Sequence, residues 1–454
     1  MIRRRAEKPG PGRPAFASAA VATYSTQVGA ALLGFGNVLL VARVLGPAGR
    51  GEVAYLITIA VLPSTLALMG VEQANVNFAS REPRLRSSLL ANSLALSALF
   101  GGVTVAVLAG LMLAFPVLGG GVEPGLRWVA IASIPILVLQ QYLQFLLQAD
   151  YRFAVINVTL LLPSAMSLLV NGVFSVVGNL SVASAIATWI VGQGTSSAIL
   201  LRRAFRDLDL SRLNAALARR TLGFGLKSHP GRVMNLANYR LDQWILAAVA
   251  GTRELGLYSV AVSWAETLFF LPTALAIVQR PDLARAPREE ASGLAALVFR
   301  MCTILTAPLA LGLIVLAPFL CVTVFGPDFR GSVDDLRVLA VGGFGIAAVK
   351  LLDDALAAQG RQMLGIWAVA IGLVTTVVLD ALLIPRLNGL GAAIASSVAY
   401  TASGTMIAML FAKALGGSLR SLVPRWSDVR EILRQGRTVL TRRSRVVHGP
   451  TGSS

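Results

Sequence analysis

Long apolar runs recur along the whole chain, divided by short polar stretches rich in Gly, Pro and Arg. A run of about twenty apolar residues, wound as a helix, spans the ~30 Å hydrocarbon core of a bilayer. This pattern is that of spanning helices, not of barrel strands, which alternate over about ten residues. It predicts twelve spans: 17–42, 53–71, 88–116, 127–149, 154–177, 181–201, 226–250, 255–279, 294–325, 334–358, 362–385 and 389–414. The expected fold class is all-α integral membrane, with about 12 transmembrane helices. The ninth span is long for one crossing and holds Pro308 and Pro318, which predicts a kink or tilt. Pro63, Pro135, Pro163 and Pro272 predict bends or local unwinding elsewhere. Ala95, Ala98, Gly102, Ala106 and Gly110 recur at helical spacing on the third span and predict close helix packing.

Composition supports this reading. Only 14% of the 454 residues are charged and 55% are hydrophobic, against about 25% charged in soluble domains. The net charge of +18 could suggest nucleic acid, but its distribution excludes that. With the N-terminus inside, 30 of the 40 Lys and Arg fall in or beside inner segments and 7 in or beside outer loops. The bias places both termini in the cytoplasm. A basic cytoplasmic tail (1–16) precedes an N-lobe (17–201), a basic linker (202–225), a C-lobe (226–415) and a basic cytoplasmic C-tail (416–454). The linker carries Phe205, Leu208, Leu213 and Leu217 between basic residues, as an amphipathic surface helix would. In the C-tail, Trp426, Val429 and Leu433 interleave with Arg430, Arg434, Arg437, Arg442, Arg443 and Arg445. That pattern suits anionic inner-leaflet lipids, or a solvated tail that only fixes topology. Residues from His448 onward are expected to be disordered.

The remaining reactive side chains form no pattern. Cys302 and Cys321 share one apolar run and read as packing residues. His229 and His448 have no partners at metal-ligand or catalytic spacing. The basic start MIRRR precedes an apolar run too long for a cleaved signal, so the first helix is expected to act as its own insertion signal.

The chain also repeats. Gly46 and Gly51 frame the turn after the first span, and Gly251 and Gly256 frame the one after the seventh, offset by 205 positions. Leu147, Ala149 and Arg152 match Leu356, Ala358 and Arg361 at an offset of 209, and the Ala-Ile-Ala at 185–187 matches 393–395 at 208. Six spans per copy give both copies the same orientation. They would then be related by an axis along the membrane normal, with a cavity at their interface.

Several of these segments resemble a known family. RVLGPAGRG at 43–51, RLDQ at 240–243, ELGLYSVA at 254–261, FGPDF at 325–329, AAQGR at 357–361 and IPRLNGLGAAIAS at 384–396 are similar to the oligosaccharide flippases of the multidrug, oligosaccharidyl-lipid and polysaccharide exporter superfamily. The resemblance covers residues 17–415. It implies a transporter, not an enzyme, that flips a polyprenyl-diphosphate-linked glycan to the outer leaflet of a bacterial cytoplasmic membrane by alternating access. It implies no cofactor, no metal and no nucleic-acid partner, and glycan biosynthesis enzymes as possible partners.

A diphosphate crossing a bilayer needs cationic donors, for which Arg is best suited. Arg240 lies near mid-span, Arg232 about two turns nearer the cytoplasm, and Lys350 in the middle of the tenth span. All three are candidate cargo contacts, and by these boundaries the first six spans hold no interior charge. Charges at such depth are rare and usually functional. Asp242, Glu266, Asp353, Asp354 and Asp380 oppose them, so structural pairing is the competing reading. Local pairing would neutralise Lys350 through Asp353 or Asp354, and Arg240 through Asp242 or Glu266. Asp380, near the outer end, would snorkel. An unpaired Asp242 or Glu266 could bind a coupling proton or sodium. The alternatives in function are a drug/cation antiporter of the same superfamily and a membrane glycosyltransferase, polymerase or ligase. The last needs a catalytic outer loop, and the clearest one, around 326–334, is short, with Asp328, Asp334 and Asp335 expected in solvent.

Overall fold

The computed structural model describes residues 13–204, 209–227 and 229–430. The expectations for the first twelve residues, for Phe205 and Leu208, and for Leu433 and the arginines and His448 beyond it lie outside the described residues. Among the described residues all regular structure is helical and no strand occurs. The α-helices are α1 (Arg13–Ala67), α2 (Val71–Arg81), α3 (Arg86–Ala114), α4 (Pro124–Ala132), α5 (Ile134–Ala149), α6 (Phe153–Val176) and α7 (Val182–Ala204). They continue as α8 (Ala215–Gly225), α9 (His229–Ala250), α10 (Thr252–Ala265), α11 (Phe270–Arg285), α12 (Arg288–Pro318), α13 (Ser332–Ala358) and α14 (Met363–Leu415). They form two compact units. The first holds α1 to α8, α9 up to Leu236, and Leu246–Gly256; the second holds Ala237–Ile245 and the chain from Leu257.

Eight helical stretches among the described residues are long and apolar enough to cross a membrane. Two of them, Ala22–Ala67 and Met363–Leu415, far exceed one crossing. Each contains a break. Gly46 is left-handed in φ (67°) inside α1, and so is Asn388 (50°) inside α14. At Asn388 the chain reverses: a Cβ on Gly391 would lie 2.5 Å from the Leu383 carbonyl, whereas eight residues of straight helix separate such atoms by about 12 Å. The stretches predicted at 226–250 and 334–358 correspond to α9 and α13, which fall outside the eight because polar and charged residues interrupt them.

Proline sets the other interruptions. The predicted span 127–149 divides at Ser133 into α4 and α5, where the Ser133 hydroxyl donates to the Ala130 carbonyl at 2.6 Å just before Pro135. The predicted span 255–279 divides at a 3-10 turn, Glu266–Phe269, between α10 and α11. Pro272 has no N–H to give to the carbonyl four residues back, which lies in that turn. A π turn at Phe319–Thr323 follows Pro318.

Two expectations change. The small residues of the third span do not pack: Ala95, Ala98, Gly102, Ala106 and Gly110 are all exposed on α3, and a Cβ on Gly102 or Gly110 would meet nothing within 4 Å. Packing uses the neighbouring face, where Gly101 abuts Pro135. The 326–334 loop is also less open than expected, since Asp335 is buried while Asp328 and Asp334 are exposed. In the linker, Leu213 is exposed, but Leu217 on α8 is buried, and Asn92 clasps the backbone of Asn214 through both its amide groups.

The turn glycines show how the repeat is used. Gly251, like Gly46, has positive φ (87°). A Cβ on Gly51 would lie 1.7 Å from the Thr252 carbonyl oxygen, and one on Gly256 would lie 1.8 Å from the Pro47 carbonyl oxygen. Thr252 is the counterpart of Pro47 at the same offset of 205. The two turns therefore touch reciprocally, backbone to backbone, in a contact that only glycine permits. The first unit's core gathers around Leu143, Leu146, Leu147 and Leu200; the second's around Leu352, Leu356 and Phe411.

Candidate functional site

Two polar interiors stand out, one in each unit. In the first, residues from α1, α5, α6, α7 and α9 line a cavity of about 460 Å3. α5 contributes Gln140, Gln141 and Gln144, which interrupt an otherwise apolar helix. The lining also includes Asn37, Ser64 and Thr65 of α1, Pro163 and Ser167 of α6, and Trp189 and Gln193 of α7. Arg232, on α9, is the only charged residue of the lining among the described residues. Its Nη1 lies 3.2 Å from Glu72 Oε1, its Nη2 donates to Gln141 Oε1 at 3.3 Å, and its guanidinium sits 5.8 Å from the Phe145 ring centre. One turn earlier, the His229 ring lies 3.1 Å from the Leu66 carbonyl through Nε2.

Glu72 is 1% exposed and changes the sequence reading. It follows the break at Met69 and Gly70, both of positive φ, and α2 then turns Glu72 and Asn75 inward. A buried acid in the first half, just past the end of the predicted second span, thus takes the cation expected to meet the cargo. The pairing satisfies a charge that would otherwise cost several kcal/mol at that depth (~3–5 for a broken buried pair).

In the second unit, Arg240 of α9 pairs with Glu266 at 2.9 Å. The 3-10 turn between α10 and α11 is what presents Glu266 to it. Beside this pair Tyr239, Phe269 and Tyr400 form an aromatic cluster with ring centres 5.8–6.4 Å apart. Lys350 of α13 places its Nζ 6.0 Å from the Phe269 ring centre, at the limit of a cation–π contact. It makes no ion pair among the described residues. Neither local partner expected for it pairs with it: Asp354 pairs with Arg280 at 3.3 Å, and Asp353 turns toward Gly365 of α14.

The expected coupling-ion residues separate. Glu266 forms the ion pair with Arg240, whereas Asp242, 2% exposed and also within electrostatic reach of Arg240, sits in a hydroxyl-lined site. Asp242 accepts from its neighbour's backbone, Gln243 N, at 2.7 Å, from Ser396 Oγ at 3.1 Å, and from the Tyr258 hydroxyl. Asp380 of α14 does not snorkel. It is 0% exposed, and neither carboxyl oxygen has a hydrogen-bond partner among the described residues. It lies within electrostatic reach of Asp242. One helical turn before it, the Thr376 hydroxyl donates to Asn238 Oδ1 at 2.8 Å. No cluster of three His, Cys, Asp or Glu side chains that could hold a metal occurs among the described residues; Cys302 and Cys321 are buried free thiols.

The comparisons with known proteins agree on the fold. A family model described as "Polysaccharide biosynthesis protein" matches residues 40–334. No curated protein sequence matches the chain significantly. Among solved structures, the lipid II flippase MurJ in an inward closed conformation superposes with a TM-score of 0.68 at 13% identity, over 89% of each chain. An inward-facing multidrug resistance MATE family transporter of the MOP superfamily gives 0.70 at 13% identity, over 87% of this chain and 98% of that one. An outward-facing MATE structure gives 0.60 at 13% identity, over 88% and 95%. At these identities the likeness is one of fold.

Proposed function

We propose that this chain, which belongs to the polysaccharide biosynthesis protein family, is a multi-pass membrane transporter that flips a polyprenyl-diphosphate-linked saccharide from the inner to the outer leaflet. Both termini lie in the cytoplasm in this reading, as the 30-to-7 distribution of Lys and Arg requires. The observation that carries the proposal is the family match across 40–334 of a helical membrane chain. The lipid tail of such a cargo stays in the bilayer throughout, so the protein's task is to replace water around the headgroup. The polar interior of the first unit suits that task. The buried acids of the second unit, Asp242 and Asp380, supply coupling: a proton or monovalent cation bound between them makes their burial tolerable, and its release favours a different conformation. Arg240 and Lys350 remain the candidate contacts for the diphosphate, in competition with Glu266 for the former.

Depletion of the protein tests this reading. Lipid-linked glycan should accumulate on the cytoplasmic face while glycan synthesis continues. Accumulation on the outer face would favour a polymerase or ligase. A drug/cation antiporter is the second reading, and drug sensitivity with normal surface glycan would select it.

A further inference from the structure

The cavity of the first unit is lined by groups that wait for a partner. Gln140 and Gln144 are 7% and 8% exposed, line the cavity, and their side chains make no hydrogen bond to another described residue. Ser167 Oγ is buried at the same cavity and also lacks a partner. Of these, the Ser167 Oγ is enclosed from solvent, while the glutamine amides open onto the cavity, where water or a ligand completes them. The cavity volume, about 460 Å3, lies in the range that holds small ligands.

The chemistry of the lining narrows the occupant. An apolar drug would leave the amides unpaired. A cationic drug would seek an acid, but Glu72 is committed to Arg232. A phosphate or uronate would seek a free cation, and the only one lining the cavity is that same Arg232. Amides and hydroxyls each donate and accept, as sugar hydroxyls do. Trp189 adds a flat face for the C–H side of a ring.

We propose that this cavity is a saccharide subsite that takes an uncharged, hydroxyl-rich sugar of the cargo, with Gln140 and Gln144 as the residues that read it. The assignment rests on the transporter reading above and adds the class of sugar to it. It divides the work between the units, with sugar recognition in the first and the cation site in the second.

The test uses the full-length protein in lipid nanodiscs and three probes: bare polyprenyl diphosphate, the same lipid bearing a neutral disaccharide, and the same lipid bearing a uronate-containing disaccharide. The neutral glycolipid should bind roughly tenfold more tightly than the bare lipid, as two added hydrogen bonds predict. The uronate lipid should show no such gain. Gln140→Leu with Gln144→Leu should bring the preference close to one, at an unchanged thermal midpoint. If that pair fails to fold, Gln144→Asn, which keeps the amide but shortens its reach, should lower the preference severalfold. Equal binding of bare and neutral lipids by the unmodified protein would overturn the subsite while leaving the transporter reading intact. So would a preference that survives the glutamine substitutions. A gain shared by the uronate lipid would overturn the uncharged class. Binding of none of the three probes would overturn the transporter reading and this one with it.

Discussion

Gly51→Ala tests the reciprocal contact between the two repeat turns. A Cβ at Gly51 would sit 1.7 Å from the Thr252 carbonyl oxygen and 2.8 Å from Gly256 N. Both are backbone atoms, so no side chain can swing away, and the two turns must separate by more than 1 Å to reach ordinary contact. Overpacking of this kind costs about 1–3 kcal/mol and at times more. The helix propensity of Ala returns at most about 1 kcal/mol. We expect a net loss of about 2 kcal/mol, read as a fall of roughly 4–8 °C in the thermal midpoint of detergent-purified protein, at ~2–4 °C per kcal/mol for a unit of this size. Gly256→Ala meets the Pro47 carbonyl at 1.8 Å and should cost about the same. Once the turns have parted for one methyl they accommodate the other, so the double variant should cost clearly less than the sum. Gly102→Ala is the control: it is helical, exposed, and meets nothing within 4 Å, so it should be neutral or slightly stabilising. Strict additivity of Gly51→Ala and Gly256→Ala, or a similar loss for Gly102→Ala, would refute the contact.

Three further outcomes are expected. Arg240→Ala should lower the abundance of a fluorescent fusion by leaving Glu266 unpaired, with a cost of about 1–2 kcal/mol, because both side chains are about a third exposed (32% and 36%). Adding Glu266→Gln should restore it, and normal abundance of the single variant with loss of export would instead make Arg240 a cargo contact. Asp380→Asn should erase the stabilisation of the purified protein by sodium (against choline) or by a shift from pH 8 to pH 6. That stabilisation reaches about 2.7 kcal/mol when the ion is at a hundredfold its Kd, and a variant that still responds would remove Asp380 from the cation site. In the C-terminal tail, hydrogen bonds from Arg300, at 2.7 and 3.1 Å, hold the Asp428 carboxyl below the usual carboxylate range. A depressed folded pKa gives stability that is present at neutral pH and is lost as pH falls through the folded value. Protection from hydrogen exchange at 419–430, relative to the intrinsic rate, should therefore be high at pH 7 and pH 5 and fall below about pH 4; equal protection at pH 7 in Asp428→Asn and the unmodified protein would dismiss the clasp.

Much of the fold was legible because lipid imposes one rule, that backbone polar groups be satisfied within each span. Apolar run length located the helices, and proline and glycine located their breaks: Gly46, Pro135, Pro272 and Pro318 all mark real interruptions. The 205-residue glycine offset was legible for a different reason, since a contact that excludes Cβ fixes residue identity on both sides. The small residues of α3 misled because the same composition serves close packing and a smooth exposed face. Spacing identifies a face, not what covers it.

The sites were less legible, and for one shared physical reason. Hydropathy reads a residue's type, whereas the cost of a polar group depends on what it faces. Glu72 lay one position past the predicted end of a span and so passed for a loop residue, although Glu72, Asn75 and Ala79 recur at helical spacing and are all buried on α2. Gln140, Gln141 and Gln144 raised no signal because amides do not count as charges. Asp380 was placed by its distance from the end of a span, which cannot distinguish a carboxyl that reaches the interface from one enclosed by α14's neighbours. Arg240 is the reverse case: its partner, Glu266, is among those named from the sequence, but only the 3-10 turn brings the two together. The mid-span cations that first suggested a diphosphate site are therefore partly neutralised, two of the three by acids. Among the described residues, the groups without partners include cavity-lining amides in one unit and, in the other, the Asp380 carboxyl and Lys350. Under the proposed function, a headgroup carrier needs both an interior that substitutes for water and a charge whose burial changes during the cycle, and those two requirements are assigned to different units.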